Sequence, residues 1–309
     1  MALELGILFA LLTMVAWGFG DFLIQKSTRK IGVWGTMFFI TFTGFLALTP
    51  FVLNTAISLF TVGLGIFLAA GAGYCLAGLL DLEALKEGKL DIVEPIWAFE
   101  IVSSAILALV ILHESLSYLQ IAFIVILTIS LSLLSLKNPA AWAKRSKPRA
   151  LNRLGKRLRK SKSKILEKGV LVAFVSAISM GVANFLIGLG SRAIDPVTMK
   201  WGLDLFLAAF SLPFVLRGKG LGSLLSGVKK SKKRMLAMTL FDNTAWLSFG
   251  IAMVLAPISI AVAVSESYII IAVLLGIFVN KERLKKHQAI SLVIALLSAI
   301  YLAYSISGL

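Results

Sequence analysis

The feature that most restricts this chain is a series of nearly uncharged apolar stretches, each as long as a bilayer is thick. About 20 helical residues rise about 30 Å, the depth of a hydrocarbon core. Ten such runs can be read, at roughly 3–24, 33–53, 60–80, 92–112, 118–136, 169–190, 197–216, 235–255, 258–279 and 287–307. Hydrophobic residues make up 59% of the 309, against about 45–50% in soluble globular proteins. Too few polar faces remain to coat a globule, so a soluble helical core is excluded and the expected fold is all-α and membrane-spanning. The first run is read as a retained helix rather than a cleaved signal. Its leading residues, MALE, contain no Lys or Arg, and the run outlasts a typical signal core. The one cysteine, Cys75, lies inside the third run, so no intrachain disulfide is expected.

The formal charge of +16 invites a nucleic-acid reading, which its distribution argues against. With ten crossings, the connections after runs 1, 3, 5, 7 and 9 share one side and hold 29 of the 31 Lys and Arg. The remaining two, Arg192 and Lys200, fall to the opposite side. Basic loops stay in the cytoplasm, so both termini are expected outside a cytoplasmic membrane, with the basic loops on anionic headgroups. Residues 137–168 form the most basic connection, with 13 Lys and Arg against Glu167 alone. Leu151, Leu154 and Leu158 recur there at helical spacing. A helix lying on the membrane surface and a solvated basic linker both remain open. No aromatic is interleaved after Pro148, so no nucleic-acid partner is expected.

That linker divides the runs five and five, giving a first repeat at 1–136 and a second at 169–309. The halves resemble each other. WGFGDFLI from Trp17 aligns with MGVANFLI from Met180, pairing Gly18 with Gly181 and Asp21 with Asn184 at an offset of 163. VILHESL aligns with IFVNKERL, pairing Glu114 with Glu282 and Leu116 with Leu284 at an offset of 168. Duplication of a unit with an odd number of crossings inserts the second copy upside down. The expectation is two inverted five-helix repeats around a central cavity, with the substrate near the midplane. The five-plus-five layout, the WG-rich first helix and the glutamate-x-leucine endings HESL and KERL resemble the EamA-type branch of the drug/metabolite transporter superfamily. That resemblance implies a secondary exporter of small metabolites, often amino acids or related compounds, with a cavity lined by both halves. The linker is longer than the resemblance leads one to expect.

Ionisable groups inside a bilayer are costly and usually face a bundle interior or a wet cavity. The fourth run carries Glu94, Trp97 and Glu100, the ninth Ser265, Glu266 and Tyr268, and the eighth Asp242 and Asn243. The first run adds Trp17 and Asp21, the third Tyr74, the sixth Asn184 and the seventh Asp204. The 168-residue offset sets Tyr268 opposite Glu100 and Asp242 opposite Tyr74, so each half presents a carboxylate and an aromatic at similar depth. The expected substrate-binding set is Trp17, Tyr74, Trp97, Glu100, Asn184, Asn243, Ser265, Glu266 and Tyr268. Glu100 and Glu266 are the proton-coupling candidates. Asp21, Glu114, Asp242 and Glu282 are read as gate or structural residues. An ideal helix through the ninth run would turn Ser265 and Tyr268 to one face and Glu266 about 100° away.

These residues point to a proton-coupled secondary transporter of a small polar or amine-like metabolite, working by alternating access. An uncoupled facilitator and a flippase for a lipid-linked substrate stay open. A membrane enzyme is disfavoured. The only histidines, His113 and His287, end helices at opposite faces, and no HExxH or ligand cluster is present. No cofactor and no metal are expected. A homodimer is left open.

Overall fold

The computed structural model describes residues 2–61, 63–87, 96–136, 153–218, 220–281 and 283–307. Glu94 and Glu282, and residues 137–152 of the linker, lie outside these. Among the described residues every regular element is a helix. The helical trace Ala2–Val52 is two spans, α1 (Ala2–Thr28) and α2 (Lys30–Val52). They are separated because Gly32 takes φ 78° and ψ 167°, a conformation that glycine alone adopts freely. A short α3 (Ala56–Thr61) leads into α4 (Leu64–Glu87), followed by α5 (Phe99–Ile111) and α6 (Tyr118–Ser135). The second half contains α7 (Arg153–Ala193), α8 (Pro196–Arg217), a connecting α9 (Gly220–Lys230), α10 (Lys232–Leu255), α11 (Ile258–Ser265), α12 (Tyr268–Asn280) and α13 (Lys286–Ser307).

Among the described residues, eight segments are long and apolar enough to cross a membrane, counting Ile258–Val279 as one. Two shorter apolar helices, Leu64–Leu80 and Phe99–Ile111, stand where the third and fourth runs were expected. Large apolar side chains line the outer surface, among them Leu8, Ile106, Val110, Leu240 and Leu297. That much exposed oil suits a lipid environment and no aqueous one. The linker differs from the surface-helix expectation: from Arg153 its backbone runs as one unbroken helix into the sixth span, ending at Ala193.

The two halves repeat one another contact by contact. Thr13 in α1 donates its hydroxyl to the Ala245 carbonyl of α10 at 3.3 Å. Its partner at the 163 offset, Ser176 in α7, donates to the Ala77 carbonyl of α4 at 2.9 Å, and Ala77 and Ala245 are 168 apart. A Cβ on Gly18 would strike Ile271 of α12, and one on Gly181 would strike Ser103 of α5. Ile271 and Ser103 are again 168 apart. Gln120 accepts from the Ser117 backbone at 2.8 Å, and Gln288 accepts from the Lys285 backbone at 3.1 Å. These contacts exchange with one another when the halves are swapped, as an approximate two-fold relation between the repeats requires.

The helix ends sort into two sets. Lys30 bonds Ser231 at 2.8 Å, and His287 meets the Leu136 carbonyl at 2.8 Å, joining odd-numbered connections. Thr55 bonds Thr198 at 2.6 Å, and Arg192 reaches Glu114 at 3.2 Å, joining even-numbered ones. Lys200 corrects the sequence reading. It lies in α8 and is buried, not in an outer connection, because Asp195 caps Thr198 and Pro196 starts the helix one turn earlier.

Candidate functional site

The site begins with two interruptions. In the second half the ninth span breaks between α11 and α12, and Glu266 and Ser267 form a turn. In the first half Ala98, which is 168 residues before Glu266, is a turn residue before α5. Glu100 therefore stands in the first turn of α5, where Tyr268 stands in the first turn of α12. The break overturns the ideal-helix expectation. Ser265 is fully buried with its hydroxyl toward the Ala10 carbonyl at 3.5 Å, and Glu266 turns inward instead.

Inside lies a cavity of about 300 Å³. Asp21 and Trp17 reach it from α1, Tyr74 from α4, Glu100 from α5 and Asn184 from α7. Asp242 enters from α10, Glu266 from the break and Tyr268 from α12. Four carboxyl groups thus converge, and none of the lining side chains described is basic. Glu266 accepts a hydrogen bond from Asn184 Nδ2 at 3.2 Å, and Glu100, Asp21 and Tyr268 border the same cavity. Carboxylates gathered in one buried space repel one another, so a bound cation or a proton relieves them. Asn184 Oδ1 is buried with no hydrogen-bond partner among the described residues.

The aromatic members form a connected wall. Trp17 meets Trp246 edge-on at 5.0 Å between ring centroids and Tyr268 at 5.8 Å, while Tyr74 meets Trp246 at 5.4 Å. Trp246 lines the cavity but was missed in the sequence. Its signal was present, since it lies four residues after Asp242 and so on the same helical face.

Besides Ser265, two expected residues stay out of this cavity. Trp97 precedes the Ala98 turn and packs with Ile96, Val172 and Ala173, its indole nitrogen buried without a partner among the described residues. Asn243 follows Asp242 by one residue and so points elsewhere, accepting from Lys200 Nζ at 2.8 Å. Lys200 also donates to Asp204, one turn along α8. Lys200, Asp204 and Asp242 line a second chamber of about 290 Å³, adjacent to the first, with Ile24, Tyr74, Asp242 and Trp246 bordering both.

Glu114 serves the scaffold. Its carboxylate accepts from the backbone N–H of Ile258 at 2.6 Å and of Ser259 at 3.2 Å, and from the Ser259 hydroxyl at 2.7 Å. It thereby supplies the first turn of α11 with a charge-assisted cap. Arg192 bonds Glu114 and also donates to the Met253 and Ala256 carbonyls, at 2.7 and 2.8 Å. One cluster thus ties α5, α7, α10 and α11 at the end where the even-numbered connections lie.

The sequence profile described as the EamA-like transporter family matches the chain over residues 4–136 and 167–304, once per half. A solved structure described only as "Crystal structure of protein" aligns with a TM-score of 0.72 over 96% of each chain at 13% identity, a likeness of fold alone. No match is found among curated proteins.

Proposed function

Because the chain belongs to the EamA-like transporter family, we propose that its acid-and-aromatic cavity carries a small amine-like metabolite out of the cell in exchange for protons. The cavity's chemistry favours a cation: four carboxyl groups supply counter-charge, and Trp17, Trp246, Tyr74 and Tyr268 offer π faces that attract ammonium. The unpartnered Asn184 Oδ1 adds an acceptor for an N–H. The convergence of Glu100 and Glu266 on one cavity carries the reading. An arriving ammonium displaces a proton held by this pair, so the same two groups bind proton or substrate but not both, which couples the two fluxes.

In this reading the halves are inverted repeats in a cytoplasmic membrane, with both termini outside and the basic connections on the inner leaflet. Eight spans among the described residues, with the shorter apolar segments Leu64–Leu80 and Phe99–Ile111 read as two further crossings, support that arrangement. Alternating access then moves the two halves around the site. The test is transport of butylammonium in proteoliposomes with an imposed pH gradient, read with a pH-sensitive dye inside. Amine movement should drive counter-movement of protons. Flux that ignores the gradient would remove the coupling, and absence of amine flux would remove the substrate class.

A further inference from the structure

Lys200 is the one basic side chain among the described residues that line the two chambers. Its surroundings are built to hold a cation. Asn243 donates its amide nitrogen to the Thr239 carbonyl at 2.9 Å and the Ile40 carbonyl at 3.3 Å. Those two bonds leave the amide one orientation, with Oδ1 facing Lys200 Nζ at 2.8 Å. Asp204, itself buried, supplies the counter-charge from the same helix. On the third side the α2 backbone closes in at Gly44, where a Cβ would collide with both Asn243 Oδ1 and the Asp204 carboxylate. A carboxylate, an oriented amide oxygen and a close backbone wall together make a dry ammonium pocket. Lys200 fills it, and the adjoining chamber reaches Asp242, which also borders the four-carboxyl cavity.

We propose that Asp204, Asn243 and Gly44 form a second ammonium subsite of the transport cavity, occupied by the chain's own Lys200, which restricts the cavity to singly charged amines. The proposal rests on the amine reading above and adds which amines are admitted. A diamine could set one ammonium among the four carboxyl groups and the other on Asp204, bridging the chambers past Asp242. With Lys200 in place, its second charge meets a fixed ammonium instead of a free carboxylate.

The first measurement reads the subsite without any transport. Purified Lys200→Ala is heated in detergent with methylammonium or with the bulky N-methylglucammonium at equal ionic strength. Methylammonium should raise its melting midpoint saturably and by more than it raises the wild type's, where only the four-carboxyl cavity is open to it, and N-methylglucammonium should give no such excess. The double variant Lys200→Ala/Asp204→Asn should lose the excess and respond as the wild type does. A Lys200→Ala response to methylammonium no larger than the wild type's, or an excess that survives Asp204→Asn, overturns the subsite.

The second measurement compares calorimetric binding of butylammonium and butane-1,4-diammonium. The wild type should bind the diamine at least tenfold more weakly. Lys200→Met, which keeps the length and loses the charge, should erase that gap. A wild type that prefers the diamine overturns the restriction without any variant needing to fold. A wild type that binds neither amine, with Lys200→Ala still stabilised by methylammonium, overturns the amine reading while upholding the subsite.

Discussion

At the scale of single residues, the cavity is a contest for a few oxygens. Glu266 is held by Asn184, and its amide isostere keeps an oxygen for that bond, so its charge can be removed without removing its shape. Glu266→Gln should leave the fold intact and weaken butylammonium binding about ten- to a hundredfold, the worth of a hydrogen bond to a charged group at about 1.5–3 kcal/mol. It should also abolish proton release on binding, read by calorimetry in buffers of different ionisation enthalpy. Unchanged affinity and proton release would detach Glu266 from the site. Trp246 touches both Trp17 and Tyr74, and a cation over an indole face gains about 0.5–2 kcal/mol. Trp246→Leu should therefore weaken the same binding about three- to thirtyfold while proton release persists. Eight of the thirteen residues singled out from the sequence border one cavity, because an acid in an apolar run has few other tolerable places. Trp97, Asn243 and Ser265 were harder to place. Which way each points is set by a helix break or by a neighbour on another helix, and neither is written in local spacing. Lys200 escaped for a related reason: four residues past a proline and near a run's edge, it looks like a loop cation until its partner on α10 is known.

At the scale of elements, the breaks matter more than the helices they interrupt. The turn between α11 and α12 sits where Glu266 enters the cavity. At the opposite end of α11, where the segment starts, Glu114 takes the Ile258 and Ser259 amides and pairs with Arg192. Glu114→Ala would leave those partly buried donors unpaired at about 1–3 kcal/mol, lowering the midpoint of thermal unfolding in detergent. Glu114→Gln should recover part of the loss, because its amide oxygen still accepts. Equal stability of Glu114→Ala and the parent would show that water serves the helix end as well. The apolar runs announced where helices lie, since length and hydropathy alone decide that in a bilayer. The interruptions could not be read the same way. The SESY turn contains neither Gly nor Pro, so its backbone departs from α geometry without a local marker and is held by what packs around it.

At the scale of the whole molecule, one sequence offset proves to be a geometric operator. The 163 and 168 shifts, taken from two short motif matches, carry Thr13–Ala245 onto Ser176–Ala77 and Gly18–Ile271 onto Gly181–Ser103. A chance likeness between apolar helices would not reproduce cross-half contacts in pairs. What the offset leaves open is the direction of the operator relative to the membrane. If the repeats are inverted, Tyr118 at the start of α6 and Lys230 at the end of α9 lie on opposite faces. Both ends are accessible, with Tyr118 93% exposed. Cys75 is buried, so replacing it by Ala provides a background for single-cysteine variants. In sealed right-side-out vesicles a membrane-impermeant maleimide should label Tyr118→Cys and spare Lys230→Cys, and inverted vesicles should reverse the pattern. Labelling of both from one side would mean that the span count between them is even. The charge asymmetry would then have to be explained without ten crossings, and the two-fold would have to stand along the membrane normal. Alternating access would then have to come from rocking of two parallel halves rather than from inverted halves trading conformations.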